Sequence, residues 1–283
     1  MYRVGINFDE ISDNLDTAIG VMEDCDVTVG ELRTVNGKNF VFWTDDEVAA
    51  FKDRLAHTKI ELVAAATPLF KWYMHEDDPE VGHDSFGFNP RIGDDEKKKV
   101  MDRTFEIATA LAIPRLRIFS CLGKTEDAGQ VFGKDPLLMY ALELAEKHSI
   151  DLLVENEPVC RVHDKTQVVE LLNTQASPRL KFWLDIANML EIGEQIDEAF
   201  LQQVASRLGY VHVKDYVMKG SERIHVPVGE GEVDYATILA AIDKLHVSDL
   251  IFTVETHAKT DKVGASITSI KATKELVSKL ANR

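Results

Sequence analysis

Four short apolar runs in this chain each end on a group able to ligate a metal ion: Leu152-Leu153-Val154-Glu155, Phe182-Trp183-Leu184-Asp185, Tyr210-Val211-His212 and Phe252-Thr253-Val254-Glu255. Continuous apolar runs of this length read as strands buried on both faces, the pattern of a parallel sheet. A lone carboxylate or imidazole at the end of such a strand is costly to bury unless something positive meets it. Four separate helix caps or ion pairs would require four coincidences, whereas one shared cation accounts for all four groups.

The same rhythm runs through the whole chain. Strands are expected at Tyr2 to Phe8, Val27 to Arg33, Ile60 to Ala66, Leu116 to Ser120, Ile150 to Glu155, Leu180 to Asp185, Tyr210 to Val213 and Leu250 to Glu255. A helical apolar face follows each. Leu15, Ile19 and Met22 stand behind Ser12-Asp13-Asn14, and Val48, Phe51 and Leu55 behind Thr44-Asp45-Asp46-Glu47, whose Thr and Glu can cap each other's backbone reciprocally. A third helix is expected from Asp94 to Ala112, and a fourth after Pro136, where proline suits the first turn. The remaining helices open at Asp164-Lys165-Thr166-Gln167 or carry Ile196 and Phe200, Ile238 and Leu239, and Ile267 and Ile270 on their buried faces.

Eight strand-then-helix units in 283 residues, with no linker between them, predict one α/β domain over residues 1–283, a (β/α)8 barrel. A doubly wound sheet is the competitor, but Asn7-Phe8-Asp9-Glu10 supplies no glycine-rich phosphate loop after the first strand. In a barrel, functional groups gather where strands meet the loops that follow them, which is where all four ligating groups fall. The rhythm breaks once, between Thr67 and Gly93, in a stretch carrying Phe70, Trp72, Tyr73, Phe86 and Phe88. So long a connection after a strand predicts a lid with aromatic walls at about 67–93, in which His75 and His83 could reach substrate.

A formal charge of −16 opposes polyanionic partners, so neither nucleic acid nor an anionic membrane is expected. Cys25, Cys121 and Cys160 are odd in number and widely spaced, which points to reduced thiols and, with no signal-like apolar segment near Met1, to a cytoplasmic protein. The expected partner is a small molecule, with a homo-oligomer allowed.

Side chains alternate along a strand, so Glu155, His212 and Glu255 point to the barrel axis, and Glu157, Lys214 and His257 stand one layer higher, near any substrate. Asp185 completes a set of three carboxylates and one imidazole. Such oxygen-rich sites favour Mn²⁺ or Mg²⁺, tolerate Co²⁺ or Fe²⁺ and accept Zn²⁺; Mn²⁺ is the first expectation. Lys214 either holds a substrate oxygen or phosphate or pairs with Glu157 or Asp185. Arg223 is either a second cationic substrate contact or a solvent-exposed side chain. Glu31 and Arg33 either line the pocket or form an ion pair across the barrel mouth.

The ends of strands five to eight, Val154-Glu155-Asn156-Glu157, Leu184-Asp185, Val211-His212-Val213-Lys214-Asp215 and Val254-Glu255, resemble the xylose isomerase-like TIM-barrel superfamily, and within it the sugar phosphate isomerase/epimerase group that includes the ketose 3-epimerases. The similarity covers essentially the whole chain, including the turn Val228-Gly229-Glu230-Gly231-Glu232-Val233-Asp234. It implies that Glu155, Asp185, His212 and Glu255 bind the metal, and that Glu155 and Glu255 also act as acid and base on a sugar or sugar phosphate. Such chemistry suits a metal-stabilised enediolate flanked by two carboxylates. Two departures stand out. Related epimerases often carry a histidine three residues after the strand-six Asp, where this chain has Asn188, a side chain that can hydrogen-bond a hydroxyl but does not titrate near neutrality. Lys214-Asp215 resembles the ulose-phosphate epimerases and the inosose or dehydroshikimate dehydratases, so a dehydratase is the alternative. An endonuclease IV-like nuclease would need further histidines for its metal cluster.

Overall fold

The computed structural model describes residues 2–82, 87, 89–220 and 222–281. Eight strands form the barrel: β1 (Arg3–Asn7), β2 (Val29–Leu32), β3 (Glu61–Ala66), β4 (Arg115–Ile118), β5 (Asp151–Glu155), β6 (Leu180–Asp185), β7 (Leu208–Val213) and β8 (Ile251–Val254). They close in the order β1-β8-β7-β6-β5-β4-β3-β2, with every neighbouring pair parallel. Closure removes both sheet edges and turns the inward residues into a packed core. Val29, Val63, Ala64, Leu153, Trp183, Tyr210 and Ile251 form that inner layer, with the Trp183 and Tyr210 rings 3.9 Å apart. The larger apolar cluster lies between the barrel and its surrounding helices. Among the described residues no helix is long and apolar enough to cross a membrane.

Local chemistry sets the helix starts much as expected. Thr44 and Glu47 make the full capping box of helix Asp45–Ala56, Asp164 accepts from the Gln167 N–H, and Asp135 caps a helix whose first residue is Pro136. Several elements differ from the expected ones. Most strands are one to three residues shorter than expected, and the third helix ends at Ala110, with Ala112 at a φ of 55°. The stretch after Gly123 contains a short helix, Ala128–Gly133, pressed so closely on helix Lys165–Thr174 that a Cβ on Gly129 would lie 2.2 Å from the Gln167 carbonyl oxygen. The loop after β7 is in large part a hairpin, Asp215–Lys219 paired antiparallel with Glu222–Val226. Its base is tied by Asp215, whose carboxylate accepts the N–H groups of Tyr216, Gly229, Gly231 and Val233. A Cβ on Gly231 would lie 2.1 Å from that carboxylate, so the Val228–Asp234 turn can close around it only with glycine there.

Of the aromatic residues expected to wall a lid at 67–93, the three described ones lie in the core. Phe70, Trp72 and Tyr73 are buried, and Phe70 packs on Trp72 and Phe132 at 5.0 and 5.3 Å, in the layer between barrel and helices. Full burial of an aromatic ring is worth about 1.5–3 kcal/mol, so rings able to enter the core are drawn there and away from a wet cavity. His83, Phe86 and Phe88 lie outside the described residues.

Candidate metal centre

The register of the barrel brings the ligating groups together. Asp185 pairs directly with His212, and Thr253, two residues before Glu255, pairs with His212 on its other side. Around His212 Nδ1 stand Glu155 Oε1 at 3.2 Å, Glu255 Oε2 at 3.3 Å and Asp185 Oδ2 at 3.7 Å. The four candidate ligand atoms all lie within 4.8 Å of one another, and all four residues are buried. The donor set fits a divalent cation: three hard carboxylates and one imidazole converge on a single point. Asp185 Oδ2, moreover, is buried and has no hydrogen bond of good geometry, although the Lys214 ammonium is 2.7 Å away.

Asp185 is held from two directions. Its Oδ1 accepts from the Asn188 N–H and so caps helix Ile186–Glu191, while Asn156 accepts from the Asp185 N–H at 2.8 Å and donates to its carbonyl at 2.9 Å. The Asn156 side chain thus extends the β5–β6 pairing by one polar rung.

Cations surround the centre. Lys214 Nζ is 2.7 Å from Asp185 and 3.0 Å from Glu255, so its partners are the two putting it between candidate ligands, and Glu157 pairs instead with Lys71 at 3.1 Å. Arg33 forks to Asp9, Glu10 and Glu255 at 2.9, 2.6 and 2.7 Å and also lines the cavity, so for it both expected roles hold, while Glu31 is not its partner. Glu31 is fully buried below the cavity, its oxygens 3.0 and 3.2 Å from His212 Nε2. Arg117 meets Glu155 at 3.0 Å, and Arg117 and Lys71 both lie over the Phe119 ring.

These contacts set the charge states. Burial pushes the Glu255 carboxyl up, but Lys214, His257 and His212 together bring it well below the usual carboxylate range. Burial opposes ionisation of Asp185 too, and Lys214 and His212 outweigh it. The same attraction, against burial, holds Lys214 and His212 well above their ordinary values, Lys214 through Asp185 and Glu255 and His212 through Glu31 and Glu255. Burial raises Glu157, with Lys71 opposing it.

One cavity of about 680 Å³ opens above this centre at the C-terminal ends of the strands, and Glu155, Glu157, Asn188, Lys214, Arg223, Glu255 and His257 all line it. Asn188 Nδ2 donates to the Asn156 carbonyl and to Glu157. Arg223 is paired with Glu191, and His257 reaches Glu255 at 3.1 Å. Among the described residues of 67–93 only Lys71 lines this cavity; His75 is exposed and lies by a separate surface hollow with Arg91.

Lys71, Arg117, Phe119, Asn156 and His225 were not singled out by the sequence. Arg117 carried a signal that could have found it: a charge between Leu116 and Ile118 in an expected buried strand. His225 comes from the hairpin and stacks on His257 at 4.9 Å; burial first, then neighbouring His257 and Lys214, pull its imidazole down to about 4.

A closed parallel barrel with three carboxylates and an imidazole gathered under a cavity at its C-terminal rim defines a (β/α)8 protein with a candidate metal centre. The chain belongs to the xylose isomerase-like TIM barrel family, whose match spans residues 21–277. No curated protein matches it by sequence. Among solved structures it is similar to an IolI protein with a bound zinc atom (18% identity, TM-score 0.77, 98% of this chain and 99% of that one). It is also similar to a probable 3-DHS dehydratase, AsbF, involved in petrobactin synthesis in Bacillus anthracis (14%, 0.74, 96% and 98%). A third is the D-allulose 3-epimerase from Methylomonas sp. in complex with D-allulose (16%, 0.73, 97% and 96%). At these identities the likeness is one of fold.

Proposed function

We propose that this chain is a divalent-metal-dependent isomerase or epimerase of a sugar or sugar phosphate, with Mn²⁺ as the ion. The observation that carries the proposal is that Glu155 and Glu255 approach His212 Nδ1 from different strands at 3.2 and 3.3 Å, beneath a cavity large enough for a sugar. Glu155, Asp185, His212 and Glu255 would hold the ion. Bound there, a divalent ion supplies a Lewis acid that stabilises negative charge on substrate oxygens. Glu155 and Glu255 are the chain's own proton carriers: both line the cavity, so one can take a carbon-bound proton and the other can return one. Glu157, Asn188, Lys214, Arg223 and His257 line the wall and are placed to bind hydroxyls or a phosphate, Asn188 by hydrogen bonding alone. Free, unpaired Cys25, Cys121 and Cys160 suit a reducing compartment, the cytoplasm.

Incubation of the Mn²⁺-loaded protein with a panel of ketoses and ketose phosphates in D₂O is expected to exchange a carbon-bound proton, seen by NMR. No exchange across the panel contradicts the proposal.

A dehydratase is the second reading, favoured by the buried Lys214 and the Lys71–Arg117 wall, which suit an anionic substrate, and by the fold shared with AsbF. Appearance of an ultraviolet-absorbing enone from dehydroshikimate or an inosose would decide for it. A nuclease reading is disfavoured by Arg33: its guanidinium joins Glu10 to Glu255, the carboxylates that with His257 could otherwise gather a second ion.

A further inference from the structure

We propose that Glu31 is the positioning residue of the metal centre: it accepts the Nε2 proton of His212 and so leaves the Nδ1 lone pair aimed at the point where Glu155, Asp185 and Glu255 converge. The inference rests on the divalent-metal function proposed above and adds a residue that touches neither ion nor substrate. The two ring nitrogens of His212 face different surroundings. Nδ1 looks toward the three candidate ligand carboxylates, while Nε2, on the far side of the ring, meets both oxygens of Glu31 at 3.0 and 3.2 Å. Glu31 is not among the groups whose ligand atoms gather at the centre.

A fully buried glutamate is expensive unless its oxygens are satisfied, and Glu31 is fastened by two strands besides its own, β1 and β7, with β8 acting through Tyr210. Asn7 of β1 donates to its Oε1 at 3.2 Å. The Tyr210 hydroxyl of β7 accepts from Thr253 of β8 at 2.5 Å, which turns the Tyr210 proton toward Glu31, its hydrogen-bond partner. With Asn7 and Tyr210 both donating, the proton left for Glu31 to accept is that of His212 Nε2. The Trp183 ring stands edge-on to His212 at 4.8 Å and 88°, packing that restricts rotation of the imidazole. A carboxylate on the outer nitrogen fixes the tautomer and strengthens the inner nitrogen as a ligand, and loss of such a partner commonly costs 10- to 100-fold in metal affinity.

The test is the affinity of the full chain for Mn²⁺ and for Zn²⁺, measured by competition with a chromogenic chelator, in the wild type, Glu31→Leu and Glu31→Gln. Glu31→Leu is expected to bind roughly 10- to 100-fold more weakly, and Glu31→Gln, whose amide oxygen still accepts a proton, to fall between it and the wild type. Melting curves in chelator establish that each variant is folded. In the Zn²⁺-loaded wild type, ¹⁵N NMR is expected to find His212 protonated at Nε2 and not at Nδ1. Unchanged affinity in folded Glu31→Leu, or a proton on Nδ1 in the loaded protein, overturns the inference. Should Glu31→Leu not fold, Glu31→Gln and the wild-type spectrum decide by the same criteria. A wild type that binds neither ion removes the metal function itself, whereas a wild type that binds while both folded variants match it removes only the role of Glu31.

Discussion

Arg33 and Glu255 are 222 positions apart in the sequence, yet Arg33 Nη1 donates to Glu255 Oε1 at 2.7 Å. The contact links the residues that follow β2 and β8, the two strands flanking β1, and leaves Glu255 Oε2 facing His212 and Lys214. One arginine thereby orients a candidate catalytic carboxylate and occupies the space beside it.

Arg33→Met removes that cation while leaving Asp9, Glu10 and Glu255 in place. Breaking a buried pair from one side costs about 3–5 kcal/mol. The variant is expected to lose stability of that order in denaturant titration, and its turnover in the D₂O exchange assay is expected to fall more than its metal affinity. Wild-type stability would show that Arg33 is not a structural counter-ion.

Lys214→Met acts in the opposite direction on the metal. A unit positive charge 2.7 Å from Asp185 repels an ion bound by the same carboxylate, and charges a few ångströms apart at a partly screened site interact by several kcal/mol. Mn²⁺ affinity is therefore expected to rise, by about tenfold or more, while substrate turnover falls because a cavity-wall contact is gone. Isothermal titration measures the first and the exchange assay the second. Weaker Mn²⁺ binding in a folded variant would contradict the placement of the ion beside Lys214.

Asn156→Ala removes both side-chain bonds to the Asp185 backbone. Each buried group left unsatisfied costs about 1–3 kcal/mol, so the variant is expected to melt at a lower temperature and to bind Mn²⁺ more weakly through a looser Asp185. An unaltered melting curve and affinity would contradict the rung described for Asn156.

His212 gives a pH signature with a definite sign. Burial lowers its affinity for a proton, but Glu31 and Glu255 outweigh burial and hold the imidazole protonated well above its ordinary range in the metal-free protein. An ion at Nδ1 must displace that proton, so metal affinity is expected to rise with pH through neutrality, by up to about tenfold per unit where one proton leaves. Without metal the sign reverses. The stability contributed by His212 is fully present below about pH 6.5, the unfolded imidazole value, and is lost as pH rises through the raised folded value. Melting temperatures with Mn²⁺ and with chelator are therefore expected to diverge as pH rises, and parallel curves would contradict the assignment.

Much of this architecture was legible in the sequence because its signals are local. An apolar run flanked by a helical face marks a barrel strand wherever it falls, and Glu155, Asp185, His212 and Glu255 stood out as lone polar groups ending such runs. What stayed hidden depends on closure. The contact of Glu31 with His212 and the reach of Arg33 to Glu255 exist only once β1 pairs with both β2 and β8 and closes the barrel. The hairpin at Asp215–Val226 carries apolar residues but leaves Met218 and Ile224 exposed, so its strands lack the buried face that marks the others. Phe70, Trp72 and Tyr73 misled for the converse reason: an aromatic ring looks the same in sequence whether it walls a cavity or fills a core, and these three are buried.

The most direct measurement is anomalous diffraction at the manganese edge from crystals grown with Mn²⁺. The expected result is one peak within coordination distance of Glu155, Asp185, His212 Nδ1 and Glu255. Full Mn²⁺ occupancy at any other place, with these four side chains bonded only to one another and to Lys214, would contradict the shared cation from which the function is derived.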